Sequence, residues 1–314
     1  MAPSGSKPGV HARLTDLVRL RHAARGIHFL PRQPGSSVLA GQRASRLRGR
    51  GLDFEELRGY RPGDDVRSID WRATARLRKP QVRVYTEERD RPGLLVVDQR
   101  KGMFFGSRKR MKSVVAAEAA ALVAWRLLAQ GDRVGAVVFG DEELSYIRPD
   151  RSTTTVLRIL KEILRFNHAL GVEREAPENP AMLGEALERA ARVATHDHFV
   201  CLVTDANGRG PEVDRSLKRL AVHNDLLTMV VSDPIGRLLP RAGRLDFTKE
   251  GRRLQVDSSA GGVQERFAER YDALAGDMRG FFRRLDVPLL SLTTDGDVLR
   301  QMRRQLGAAP GGPA

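Results

Sequence analysis

From residue 93 onward the chain alternates short, wholly apolar runs with helical periods of roughly 10–20 residues, and this alternation constrains the fold more than any other feature. The runs are Leu94–Val97, Val134–Phe139, Phe199–Thr204, Leu226–Val231 and Leu289–Leu292. Each is too short for a buried helix and too apolar for a strand with one wet face, so each reads as a strand buried on both faces. Leu144–Ile147 reads as a short edge strand. The intervening periods read as helices. One covers about Arg108–Gln130, with Met111, Val115, Ala119 and Leu122 on one face. Another opens at a Ser152-Thr153 cap and carries Val156, Leu160 and Ile163. The rest carry Leu183, Leu187 and Ala190, or span Pro211–Ala221, Val263–Leu285 and about Gly296–Gln305. Residues 232–262 are a polar stretch with no assigned element. Strands that alternate with helices predict an α/β domain over residues 92–306, doubly wound around a mostly parallel sheet.

Open sheets of this kind gather ligands at the carboxyl ends of their strands, where the strand order reverses. Two acids stand at such ends, Asp98 after the first run and Asp205 after Phe199–Thr204. A third, Asp233, follows Leu226–Val231 and precedes Pro234. It reads as a strand-end residue of structural use.

A dense polar and aromatic block, residues 51–85, precedes the first of these strands. Pro62-Gly63 is a turn pair, because proline presets φ and glycine supplies a positive one. Val82 and Val84 alternate with Arg83 and Tyr85 as in a strand with one buried face. Phe54, Tyr60, Ile69 and Trp71 are apolar enough to predict that residues 51–91 pack on the α/β core. Asp64, Asp65 and Asp70 look like paired catalytic acids, but beside Gly63 they read more simply as turn and cap residues held by Arg67 and Arg76.

Gly51, Asp53, Phe54, Arg58, Tyr60, Gly63, Asp64, Asp65, Arg67, Ile69, Asp70, Trp71, Ala75 and Arg76 fall in the spacing of a known signature. The block resembles that of the prokaryotic family filed as domain of unknown function 58, and the resemblance runs over roughly residues 40–305. It implies a core of von Willebrand factor A type. Such domains carry a metal-ion-dependent adhesion site, in which an Asp-x-Ser-x-Ser loop, a threonine and a further aspartate supply the hard oxygens that Mg²⁺ needs. Here the loop reads Asp98-Gln99-Arg100-Lys101-Gly102, so Arg100 and Gly102 stand at the serine positions. Ala181, within Pro180–Leu183, stands near the threonine position. The implied site is therefore degenerate, with no metal and with Arg100 neutralising Asp98 and Asp205. The resemblance also implies a partner, an AAA+ ATPase of the MoxR type, with which such proteins act as adaptors in the maturation of client complexes.

Charge adds one rival reading. Residues 1–50 hold ten Lys or Arg against the single Asp16, within a chain of net charge +15. A partly disordered basic arm could bind nucleic acid. Arginine nonetheless dominates the basic residues throughout, and no aromatic residue interleaves Arg43–Arg50 to stack on bases. Within the arm, residues 10–25 predict a basic amphipathic helix, with Leu14, Leu17 and Val18 on one face, and residues 31–50 a mobile segment broken by Pro and Gly. Residues 307–314 read as a tail.

Little else in the sequence carries chemistry. Cys201 is the lone cysteine and lies within an apolar run, which points to a buried thiol and a reducing cytoplasm. His196-Asp197-His198 lacks a third ligand nearby, and no phosphate-binding loop or nucleophile elbow occurs. There is no secretory signal and no run of apolar residues long enough to span a membrane. The expected function is thus a non-enzymatic interaction adaptor without a cofactor. The alternatives are a nucleic-acid binder using the basic arm and a hydrolase built on the acids of the 51–85 block.

Overall fold

Successive side chains of a strand point to opposite faces, so an all-apolar strand needs a helix layer on each side. That rule organises the computed structural model, which describes residues 9–27, 52–61, 66–87, 92–172, 177–236, 243–249, 252–258 and 261–306. Among these residues, six strands form one sheet in the order β10-β7-β6-β3-β4-β5. They are β3 (Gly93–Asp98), β4 (Val134–Phe139), β5 (Leu144–Asp150), β6 (Phe199–Thr204), β7 (Asp225–Ser232) and β10 (Leu289–Thr293). All neighbours are parallel except β4 and β5, which pair antiparallel at the edge. The predicted fold class is the observed one.

Leu95, Val97, Ala136, Val138, Cys201 and Val203 face one layer, and Leu94, Val96, Val137, Phe139, Val200 and Leu202 face the other. The first layer holds α1 (Leu14–Ala24), α3 (Lys112–Ala129), α4 (Thr153–His168) and α8 (Val298–Leu306). The second holds α5 (Met182–Val193), α6 (Pro211–His223) and the end of α7 (Val263–Arg284). Helix α3 is apolar nearly all round and correspondingly buried from Ser113 to Trp125 except at Glu118. Ser152 caps α4 by accepting the Thr155 N–H at 3.0 Å, as the sequence predicts.

The chain divides into two compact units, residues 1–30 with 91–314, and residues 31–90. The start of the basic arm is therefore part of the α/β unit. Leu17 and Ala24 on α1 are buried against α3, and the Trp125 indole donates to the Leu17 carbonyl at 3.0 Å. Residues 31–50 and the 307–314 tail lie outside the described residues.

Within residues 31–90, β1 (Leu52–Gly59) pairs antiparallel with β2 (Gln81–Glu87), and α2 (Trp71–Leu77) lies between them in sequence. Ala73 and Val82 are buried. The expectation that Tyr60 and Trp71 are buried is corrected: Tyr60 is 36% exposed and Trp71 is 69% exposed. Helical geometry explains the exposure of Trp71, because residues two apart lie about 200° apart around the axis and Ala73 takes the inner face. Ile69 is half-buried and bridges Val82, and the Phe54 side chain lies outside the described ones.

Three other expectations change. The long helix starts at Lys112 rather than Arg108, since residues 104–111 are held in a loop by contacts to distant residues. The polar stretch 232–262 contains a hairpin, β8 (Arg244–Lys249) with β9 (Arg252–Asp257). The edge strand continues to Asp150. We expect Leu17→Ala to destabilise the α/β unit by about 2–5 kcal/mol, as truncation of a buried leucine does. Urea unfolding measures this, and a cost near zero would show that α1 is not part of the cooperative core.

Candidate functional site at the strand ends

In this strand order the chain leaves β3 toward β4 and returns to place β6 on the other flank of β3. The reversal point lies between β3 and β6, so Asp98 and Asp205 stand on either side of the crevice where such folds bind ligands. The structure brings four of the predicted residues together there: Asp98, Arg100, Gly102 and Asp205.

Arg100 fills the crevice. Its Nε donates to Asp98 Oδ1 at 3.0 Å and its Nη2 to Asp98 Oδ2 at 2.6 Å, a two-pronged pair. Its backbone N–H donates to Asp98 Oδ1 at 3.0 Å, and the Thr204 hydroxyl donates to Oδ2 at 2.7 Å. The two-pronged guanidinium, the backbone N–H and the hydroxyl all favour the charged form of this carboxylate against the burial that opposes it. The guanidinium also donates to the Pro180 carbonyl at 3.2 Å and the Asn207 carbonyl at 2.9 Å, and its Nη2 lies 3.7 Å from Asp205 Oδ1. Asp98 is fully buried and Arg100 is 3% exposed.

Lys112, the first residue of α3, donates to Asp205 Oδ2 at 2.6 Å, and the Asn207 N–H donates to Oδ1 at 2.9 Å. A third acid, Asp141 after β4, accepts the Lys101 N–H at 2.6 Å and the Asn179 N–H at 2.8 Å. It staples the loop after β3 to the segment that leads into α5. Gly208 is held at φ +85°, and a Cβ there would meet the Pro180 carbonyl at 2.3 Å. Only glycine lets these two loops close over Arg100.

Burial raises the Asp98 carboxyl above its ordinary value, and Arg100 works against that rise. Burial also opposes the charge on Arg100, but Asp98, with Asp205 and Asp141 behind it, raises the guanidinium further. At Asp205 burial is outweighed by Lys112, the Asn207 N–H and Arg100, and the carboxyl is held below its usual range.

Both oxygens of Asp98 and both of Asp205 are thus engaged by this chain's own donors. The groups at the two serine positions are a guanidinium and a glycine. Ala181 is exposed next to the N-terminus of α5, and only the carbonyl of the preceding Pro180 reaches Arg100. This donor set does not suit Mg²⁺, which demands near-octahedral oxygens. Among the described residues, no three His, Cys, Asp or Glu side chains converge as metal ligands would.

Asp233 forms a second buried acid site, with no salt bridge to a cation among the described residues. Its oxygens accept the Ser107 N–H at 2.8 Å, the Ile235 N–H at 3.0 Å, and the hydroxyls of Ser107 and Thr294. Burial tends to raise this carboxyl, but the Ser107 and Thr294 hydroxyls and the two N–H donors hold it below its ordinary value.

The remaining candidates lie elsewhere. Asp70 caps α2, accepting the N–H groups of Arg72 at 2.9 Å and Ala73 at 3.0 Å, so its role is that of a helix cap. Arg67, Trp71 and Arg76 are exposed in the same unit. Gly63, Asp64 and Asp65 lie outside the described residues. His196 Nδ1 is 2.9 Å from Asp197, and His198 Nδ1 is 2.7 Å from the His196 carbonyl. Cys201 is buried in β6, and burial pushes its thiol up. Lys112, Asp141, Asn179 and Thr204 were missed in the sequence, although Asp141 follows its strand as Asp98 and Asp205 follow theirs.

The sequence profile of the family described as Protein of unknown function DUF58 matches residues 56–275. An uncharacterized protein of Mycobacterium tuberculosis (strain H37Rv) is 28% identical over 291 residues, covering 91% of this chain and 88% of its own. An uncharacterized protein of Mycobacterium bovis matches to the same extent. Among solved structures, the conserved hypothetical protein BatB from Bacteroides thetaiotaomicron is 15% identical with a TM-score of 0.39, covering 68% of this chain and 94% of its own. A von Willebrand factor type A protein from Catenulispora acidiphila is 14% identical with a TM-score of 0.30, covering 48% of this chain and 35% of its own.

Two outcomes follow from the geometry. Arg100→Ala strands the buried Asp98 carboxylate, while Asp205 keeps Lys112, and should cost about 3–5 kcal/mol in a denaturant titration. Asp233, whose folded value lies below the unfolded one, contributes stability that is present above about pH 4 and lost as pH falls through the folded value. The stability gap between wild type and Asp233→Asn should therefore be full at neutral pH and shrink in acid. A gap that grows in acid would reverse the assignment.

Proposed function

Because the chain belongs to the DUF58 family of proteins of unknown function, we propose that it is an interaction adaptor with no catalytic chemistry of its own. One observation carries this reading: the crevice where a doubly wound sheet binds its ligand is filled by the chain's own Arg100, bonded to Asp98, Pro180 and Asn207. No described cluster combines a nucleophile, a base and an orienting group. Asp70, one of the acids that a hydrolase would need, is spent on capping α2. In this reading Arg100 permanently takes the place that a divalent ion would occupy, so recognition does not run through Mg²⁺.

The proposed partner is an AAA+ ATPase of the MoxR type, together with a client protein, in a cytoplasmic setting. This part rests on the resemblance of the 51–76 signature. The buried, unpaired Cys201 is compatible with a reducing compartment. No helix among the described residues is long and apolar enough to cross a membrane.

Melting in chelator and in millimolar Mg²⁺ tests the metal-free reading. A native-state ligand at 100 times its Kd adds about 2.7 kcal/mol, which a melt resolves easily. We expect no shift. A Mg²⁺-dependent rise that Asp98→Ala abolishes would overturn the reading. For the partner, the tagged chain should recover an AAA+ ATPase from lysate of its own host. Recovery of nucleic acid instead, lost as salt rises, would favour the basic-arm reading.

A further inference from the structure

In a chain with only two tryptophans, one is placed in the open. Trp71 is exposed while Trp125 is buried. An exposed large apolar side chain is informative where other apolar groups gather with it. Around the axis of α2, with Ala73 pointing inward, Trp71, Ala75, Arg72 and Arg76 fall on one outward arc of about 140°. All four are exposed. Trp71 and Ala75 form an apolar row at i and i+4, and Arg72 and Arg76 form a parallel cationic row at the same spacing. Arg78 and Lys79 follow the helix and are exposed as well, and no acidic residue occurs between Trp71 and Glu87. The nearest described acid, Asp70, has its carboxylate turned to the N–H groups of the helix.

We infer that this face of residues 66–79 is a docking surface for a protein segment that presents an apolar side chain among carboxylates. Tryptophan and arginine are the side chains that dominate protein interfaces, and small Ala75 leaves the indole flank open to an inserted group. Charge complementarity selects the partner's sign, with guanidinium groups matching carboxylates in paired hydrogen bonds. A second copy of this chain is a poor occupant, because two molecules of net charge +15 repel. Among the α2 side chains Trp71 alone offers bases a stacking face, whereas the aliphatic Val66 and Leu77, also exposed in this unit, suit an apolar side chain of a protein segment, and an oligothymidylate probe separates the two. The inference rests on the interaction reading above and assigns it a surface.

The test uses the full chain with Trp125→Phe, so that Trp71 is the only tryptophan and is excited selectively over the tyrosines. If that variant folds poorly, the difference between the wild-type chain and Trp71→Phe gives the same signal. The probes are a short amphipathic peptide of Glu, Leu and Ala, the same peptide with Gln for Glu, and an oligothymidylate. In the free protein, Trp71 emission should be red-shifted and open to acrylamide. The acidic peptide should shift it to the blue and saturate. A labelled peptide should lose at least tenfold in affinity with Trp71→Ala or Arg72→Ala/Arg76→Ala, and the Gln peptide should bind at least tenfold more weakly. Shielding of Trp71 from acrylamide in the free chain, equal binding of the two peptides, no binding of the acidic one, or tighter binding of the oligothymidylate would each overturn the surface. These results are separable from the adaptor reading. Failure to recover an ATPase while the acidic peptide binds strikes that reading alone, and ATPase recovery unaffected by Trp71→Ala strikes this surface alone.

Discussion

The two-pronged bond between Arg100 and Asp98 sets the end of the sheet on which the rest of the site depends. Parallel strands that end side by side bring their terminal acids together, and Asp98, Asp141 and Asp205 surround one crevice. Buried carboxylates so close need a cation. A bound ion would meet that need reversibly, with occupancy set by its concentration. A covalently attached guanidinium meets it always. The same group then spends its remaining donors on the Pro180 and Asn207 carbonyls, so three separate loops close on one side chain. Neutralisation and loop closure become a single event.

Around this centre, further polar and charged groups hold the neighbouring loops. Asp233 ties Ser107 to Ile235 and Thr294, joining the loop after β3 to the ends of β7 and β10. Arg110 bonds both Glu118 and the Gly296 carbonyl. The N-terminal segment is fastened to the same region: the Met111 N–H donates to the Gly9 carbonyl, and the Ala12 N–H donates to Asn167. Asn167 in turn donates to Gln99, which lies between Asp98 and Arg100 in the chain. A polar relay thus runs from residue 12 to the backbone beside the filled crevice. Each member is buried and hydrogen-bonded, which fixes one arrangement and makes partial loosening costly.

The strands of the large sheet were legible because burial on both faces leaves no polar position to blur the signal, and the apolar runs of β3, β4, β6 and β7 coincide with the observed elements to within a few residues. The hairpin β8–β9 was hidden because its pairing is interleaved with charge: Leu245 and Phe247 stand opposite Val256 and Leu254 in a stretch rich in arginine and lysine. The start of α3 was misread because Arg108–Met111 continue a helical period while long-range bonds from Ser107 and Met111 hold them in a loop. Asp98 and Asp205 could be named from their strand-end positions, and Arg100 from the family resemblance that sets it at a serine position. Lys112, Asn179 and Thr204 could not, because their roles depend on which loops meet in space. Trp71 was placed inside on hydrophobicity alone, whereas the Asp70 cap and inward Ala73 set the rotation of α2 and turn it outward.

Among its described side chains, the 52–87 unit differs from the sheet in how little it buries. An isolated two-stranded pairing is marginal in water, and a helix as short as α2 has no independent stability. Among its described side chains, the buried apolar groups are Ala73 and Val82, neither of them large. Its largest apolar side chain, Trp71, contributes little to that core. The exposed indole and guanidinium groups stand on this short helix, beside a two-stranded hairpin. Any contact that buries Trp71 then adds to the stability of α2 and its hairpin as well as to the affinity of the complex, because a ligand that binds the ordered form shifts the equilibrium toward it. Ordering and recognition are coupled here, whereas at the strand ends they are separated, with order supplied from within by Arg100.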